Sequence, residues 1–253
     1  MLEKRGVKPG YLSEIFVSFQ GEGAHVGRRH LFVRLAGCNL RCRYCDTPDS
    51  LERTSDFTVS RRGAATVRRP NPVTAGEIRA LVDDLLVHES PIDAIALTGG
   101  EPLLQAEFVG ELLADGPFPV PVLLETNGML PRRLSGVLSL IDIISMDLKL
   151  PSNSGEPAFW DEHAAFVALA AGKDVYVKIL VDATTADAEV ARAAQLVARH
   201  GGRQVPTYLQ PIVDAAGRAT IAAARLDEFY RIARGALDAV RVVPQTHKLL
   251  GLR

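Results

Sequence analysis

Seven short stretches of the chain are almost continuously apolar: residues 31–35, 94–98, 122–125, 141–147, 175–181, 207–210 and 240–243. Each is rich in Val, Ile or Leu, which is how strands buried on both faces read. Between them the period lengthens to that of helices. TAGEIRALVDDLLVHE follows Thr74, and Glu77 three residues later completes a capping box. PLLQAEFVGELLADG, residues 159–171, TTADAEVARAAQLVARHGG and residues 225–234 continue the series, with Gly201-Gly202 as a natural helix stop. This alternation predicts right-handed crossovers and a parallel sheet. About six β/α units and a final strand predict one α/β domain over residues 1–253, shaped as a partial or complete barrel. A flat doubly wound sheet is the competing shape.

Residues 51–72, LERTSDFTVSRRGAATVRRPNP, break the pattern. They show no clear period and carry two arginine pairs, Arg61-Arg62 and Arg68-Arg69. The plain reading is a solvated surface insertion; the sharper one is a basic flap over an anionic ligand or partner. No internal repeat or linker divides the chain.

Charge narrows the function classes. The chain has 29 basic and 30 acidic residues, which argues against a broad nucleic-acid or membrane surface. No apolar run is long enough to span a bilayer, and the opening MLEKRGVKPGYLSEIF lacks a signal-peptide core. The expected location is the cytoplasm, where thiols stay reduced and clustered cysteines point to metal or catalysis before disulfides.

Every cysteine of the chain lies in AGCNLRCRYCDT: Cys38, Cys42 and Cys45. The stretch follows a strand and a glycine, so it sits at a strand's C-terminal end, where α/β folds build sites. A zinc site wants four protein ligands, or three and a water, and His25 or His30 is the candidate fourth. A [4Fe–4S] cluster usually takes four thiolates; three would leave one iron open to another ligand. Three inert buried thiols fit poorly beside the charged Arg41, Arg43 and Asp46.

CNLRCRYC resembles the CxxxCxxC signature of the radical S-adenosylmethionine (SAM) enzymes, down to an aromatic, Tyr44, before the last cysteine. TGGEP (98–102) resembles that family's glycine-rich segment, and glycines let backbone approach a ligand closely. ETNG (125–128) resembles its SAM-contacting loop, and SMDLK (145–149) ends the following strand with polar groups. The resemblance implies a partial (β/α)6-type barrel with a [4Fe–4S] cluster on the three cysteines. It also implies SAM contacts at Tyr44, Asp46, Gly100, Glu125, Asp147 and Lys149.

The remaining motifs resemble the 7-carboxy-7-deazaguanine synthases within that superfamily: Gln20-Gly21-Glu22-Gly23, Arg34, Cys45-Asp46-Thr47 and PQTHKLL (244–250). The family often has SPK where this chain has Asp147-Leu148-Lys149. The resemblance implies a Mg²⁺-dependent ring contraction of 6-carboxy-5,6,7,8-tetrahydropterin with loss of ammonia. Thr47 would supply a hydroxyl to Mg²⁺, an ion that needs few protein ligands. Phe19, Gln20, Gly21, Glu22, Arg34, Thr98, Gln245 and His247 would contact the pterin. Arg34 has its own physical argument: a guanidinium fork between Val33 and Leu35 in a buried strand needs an anionic partner, and a substrate carboxylate fits it bidentately. A homodimer and a flavodoxin- or ferredoxin-type electron donor also follow from the resemblance. A glycyl-radical-enzyme activase shares the cysteine spacing and GGEP but typically carries DGPG–R upstream, where this chain has QGEG. A zinc-binding structural module is the alternative from another class.

Overall fold

The computed structural model describes residues 8–214 and 216–252. Residues 1–7, part of the opening stretch read for a signal peptide, lie outside the described residues. Among those described, no helix is long and apolar enough to cross a membrane.

One sheet of ten strands organises the described residues. Seven are the apolar stretches read from the sequence: β2 (Arg29–Leu35), β5 (Ala94–Gly99), β6 (Val122–Thr126), β7 (Ile143–Asp147), β8 (Asp174–Val181), β9 (Thr207–Pro211) and β10 (Val240–Val242). They are parallel and adjacent in that order. Beside β2 lie β1 (Leu12–Phe19), antiparallel to it, then β3 (Asp56–Val59) and β4 (Val67–Pro70). The connections carry α1 (Ala75–His88), α2 (Ala106–Ala114), α3 (Pro131–Ser135), α4 (Pro151–Ser154), α5 (Trp160–Ala170), α6 (Asp187–His200) and α7 (Ala223–Arg234), and α8 (Thr246–Leu249) closes the chain.

The capping box holds: the Glu77 amide donates to Thr74 Oγ1 at 3.3 Å, and the Thr74 amide to Glu77 Oε2 at 2.8 Å. The glycine pair ends α6, with Gly202 at φ +105°.

Strand register sorts the side chains into two sets. Leu31, Val33, Leu35, Ile95, Leu97, Val122, Leu124, Val177 and Ile179 join the large core that includes the helices. The alternate residues Phe16, Phe32, Ala96, Leu123, Ile143, Tyr176 and Tyr208 form a separate, smaller core. Helices therefore cover one face, and the sheet curls its other face around an interior. The curl is large. Four strand spacings, roughly 19 Å in a flat sheet, separate β2 from β8. Yet the turn before β2 touches β8: a Cβ on Gly23 would stand 2.3 Å from the Tyr176 ring. This rules out the flat doubly wound shape. The edge strands β10 and β4 do not pair, so the barrel is partial rather than complete.

Two departures concern the ends of the motif region. β1 was not expected; its polar positions and a bulge between Leu12 and Glu14 blur the alternation. Residues 51–72 are not structureless but contain the β3–β4 hairpin, whose second strand is exposed throughout and so lacks an apolar signal. Arg61 pairs with Asp84 and Arg68 with Asp56, and none of the four arginines lines the interior cavity, so they form no flap over a ligand there.

Candidate functional site

The C-terminal ends of the parallel strands open into a cavity of about 580 Å³. Its wall is built by the inward register of the strands. Low in the interior that register carries aromatics. At the strand ends it carries Arg34 on β2, Thr98 on β5, Glu125 on β6, Asp147 on β7 and Lys178 on β8. Apart from His25 and His30, the candidate site residues named from the sequence, including Phe19, Gly21 and the three cysteines, line this one cavity.

The cysteine loop forms one side. All three thiols are free and partly exposed to the cavity. Burial pushes the Cys42 thiol up to about 11, and burial also raises Cys38. A bound cation would reverse both, because a thiolate, not a thiol, is the ligand. The TGGEP loop lies directly against this loop: the Gly100 amide donates to Leu35 O at 3.1 Å, and a Cβ on Gly100 would sit 2.3 Å from Gly37 O. Three sulfurs of one loop, with no fourth protein ligand beside them among the described residues and bare backbone at Gly100, fit a [4Fe–4S] cluster and a small chelating cofactor.

Glu101 ties this region together from behind. It is fully buried and accepts from Leu103 N, Thr126 Oγ1 and Asn127 N at 3.0, 2.9 and 2.8 Å. Burial outweighs these donors and raises its carboxyl to about 7. The TGGEP and ETNG loops are thereby joined through one side chain.

The same cavity holds a polar cluster. Gln20 Nε2 donates to Glu125 Oε1 at 2.7 Å, and Thr98 Oγ1 donates to Glu125 Oε2 at 2.7 Å. Glu125, expected on the cofactor side, is thus hydrogen-bonded to two candidate substrate residues. Arg34 Nε donates to Glu14 Oε1 at 2.9 Å, and its guanidinium lies 5.5 Å from the Phe16 ring centroid. The anionic partner that a buried Arg34 demands is supplied in part by β1.

Charged groups line the mouth. Lys149 Nζ donates to Asp147 Oδ2 at 3.0 Å and lies 5.4 Å from the Tyr44 ring centroid. Burial works to raise the Glu22 pKa, but the Lys178 charge and the hydrogen bonds from Lys178 and Gln245 hold it below the usual range. Burial acts likewise on Asp46, and there His247 and Lys248 win, bringing it to about 2. Glu22, Asp46 and His247 bring ligand atoms within 4.8 Å of one another. Thr47 starts a short turn without a side-chain capping bond, so its hydroxyl is not spent in the role a loop threonine usually takes. The C-terminal segment packs over this mouth: the Thr246 amide donates to Gly21 O at 3.0 Å, and Gln245 Nε2 to Glu22 Oε1 at 2.8 Å.

His25 and His30 do not serve as fourth cysteine partners. They pack on each other and on Tyr176 and Phe32. His30 lies near the start of β2, roughly 17 Å of strand before Leu35. The sequence reading missed Lys178. Its signal was a lone lysine inside the apolar DVYVKILV, a buried charge that demands partners.

A model of the radical SAM superfamily matches residues 33–154. The chain is 38% identical to a 7-carboxy-7-deazaguanine synthase of Geobacter sulfurreducens, covering 96% of this chain and 98% of that one. It is 33% identical to a 7-carboxy-7-deazaguanine synthase of Methanothermobacter thermautotrophicus, covering 95% and 96%. Among solved structures it is similar in fold to QueE from Escherichia coli, with a TM-score of 0.59, 19% identity and 94% of each chain covered.

Proposed function

The chain belongs to the 7-carboxy-7-deazaguanine synthase family of the radical SAM superfamily, and on that premise we propose that its cavity converts 6-carboxy-5,6,7,8-tetrahydropterin to 7-carboxy-7-deazaguanine and ammonia. One observation carries the reading: the three cysteines and the Gln20–Thr98–Glu125–Arg34 set line one cavity. Cys38, Cys42 and Cys45 would hold the cluster, and Gly100, Tyr44, Asp147 and Lys149 would meet SAM. Cluster and SAM together supply the one-electron bond cleavage that starts hydrogen abstraction.

The protein's own part is positioning and exclusion. Arg34 receives the substrate carboxylate, its charge already oriented by Glu14. Gln20, Thr98 and Glu125 read the polar edge of the pterin. Thr47, next to Asp46, offers a hydroxyl to Mg²⁺ beside that carboxylate. The C-terminal segment covers the mouth and keeps water from a reactive centre. A small flavodoxin- or ferredoxin-type protein supplies the electron.

The test is anaerobic incubation of reconstituted protein with SAM, reductant, Mg²⁺ and carboxytetrahydropterin. The expected product is 7-carboxy-7-deazaguanine. Cleavage of SAM with no deazaguanine formed would reject this substrate.

A further inference from the structure

We propose that Lys178 is a positioning residue that couples the cofactor side of the cavity to its substrate side; the proposal rests on the function just described. Lys178 stands on β8 between Val177 and Ile179, and its side chain is only 4% exposed. An ammonium so buried persists only with ionic partners. It has two, from separate segments of the chain. Its Nζ bonds Glu22 in the QGEG segment and lies 3.1 Å from Asp147 Oδ1 at the end of β7. Burial works to lower the Lys178 pKa, but the two carboxylates hold it well above the ordinary lysine value.

Each partner passes the connection on. Asp147 binds Lys149, which lies by Tyr44. Glu22 accepts from Gln245, whose Nε2 is also 3.2 Å from Asp46 Oδ2. The chain of contacts therefore starts at Tyr44, runs through Lys149, Asp147, Lys178, Glu22 and Gln245, and ends at Asp46. Tyr44 and Asp46 flank Cys45. The ring leaves the cysteine loop on one side of a ligand cysteine, crosses the cavity through Lys178, and returns on the other side. Among the described residues, Lys178 is the member of this chain of contacts that joins its two halves. Without it, Glu22 and Asp147 are two like charges facing one cavity, and the Gln20–Gly23 segment loses its ionic tie to β8 while the packing of Gly23 on Tyr176 remains.

This assigns a consequence that a purely structural lysine would not have. Lys178→Met should reduce product formation more than SAM cleavage, so that product per SAM cleaved falls. The substrate KM should rise by about tenfold or more, as expected for losing hydrogen bonds to a charged group. Lys178→Arg, which keeps the cation, should recover most of the product-to-cleavage ratio. Amide exchange of residues 20–25 and 244–249 should be faster in Lys178→Met than in the parent protein. If Lys178→Met is poorly folded, Lys178→Met with Glu22→Gln removes the unpaired buried charge, and the same measurements apply. An unchanged KM with an unchanged ratio would overturn the proposal, and so would unchanged exchange in both segments. Failure of the parent protein to make deazaguanine would strike the functional reading instead, and the exchange comparison still decides the positioning role.

Discussion

The Thr98 hydroxyl donates to Glu125 Oε2 at 2.7 Å, across the boundary between neighbouring parallel strands. The other oxygen of the same carboxylate is taken by Gln20, from a loop that precedes it by more than 100 positions. Both oxygens of Glu125 are thus taken by neutral donors inside the cavity. Replacing it by Gln exchanges an acceptor for a donor and sets one of these partners against an N–H. Glu125→Gln should lower kcat/KM for deazaguanine formation by about 10- to 100-fold, the range for a hydrogen bond to a charged group. Iron content should not change. Full turnover in this variant would show that the carboxylate plays no part.

Gly100 illustrates a different constraint. A Cβ there would lie 2.3 Å from Gly37 O and 2.7 Å from Ser50 O, both backbone atoms that cannot swing aside. Gly100→Ala should cost about 1–3 kcal/mol, the usual penalty for overpacking. The strain falls on the loop that leads into Cys38, so iron retention should suffer along with the thermal midpoint. Parent-like iron content and midpoint together would show that the two loops separate freely.

The parallel core was legible because its strands are buried on both faces and read as unbroken Val, Ile and Leu runs. The cysteine loop was legible because three thiols in eight residues have few other uses. The rest depended on features that sequence patterns do not carry. The curl of the sheet accumulates from strand twist and stagger over many strands, and no local period reports it. β1 is interrupted by polar residues and a bulge. The β3–β4 hairpin has an edge strand with no buried position, so nothing apolar marks it. The pairing of Lys178 with Glu22 spans 156 positions; the sequence shows a buried charge but not its partner.

Glu101 makes a pH prediction with a definite sign. Its carboxyl is raised from 4.5 to about 7 by burial. The folded state keeps the proton through a window in which the unfolded chain has already lost it, so unfolding there releases a proton. The contribution of this group is fully present below about pH 4.5 and falls as pH rises to about 7, by up to roughly 1.4 kcal/mol per unit. Glu101→Gln cannot ionise. Denaturant midpoints measured from about pH 5 to pH 8 should therefore fall less with rising pH in the variant than in the parent. Parallel profiles would mean that Glu101 is already ionised across the window.

Arg34 is bound to Glu14 as well as lining the cavity, and its two roles need separate variants. Arg34→Ala strips Glu14 of its 2.9 Å partner and so mixes a folding defect with any loss of substrate affinity. Arg34→Ala combined with Glu14→Gln removes the unmatched charge left by the broken pair. In this pair, product formation should fall by about 10- to 100-fold, the value of a charge-assisted contact. SAM cleavage without product should fall far less, because no cofactor contact is assigned to Arg34. Arg34→Lys retains the charge but not the planar fork, and should recover only part of the loss. The deciding measurement is product and cleaved SAM quantified in the same reaction. Equal loss of both would remove Arg34 from the substrate side and make it a structural partner of Glu14.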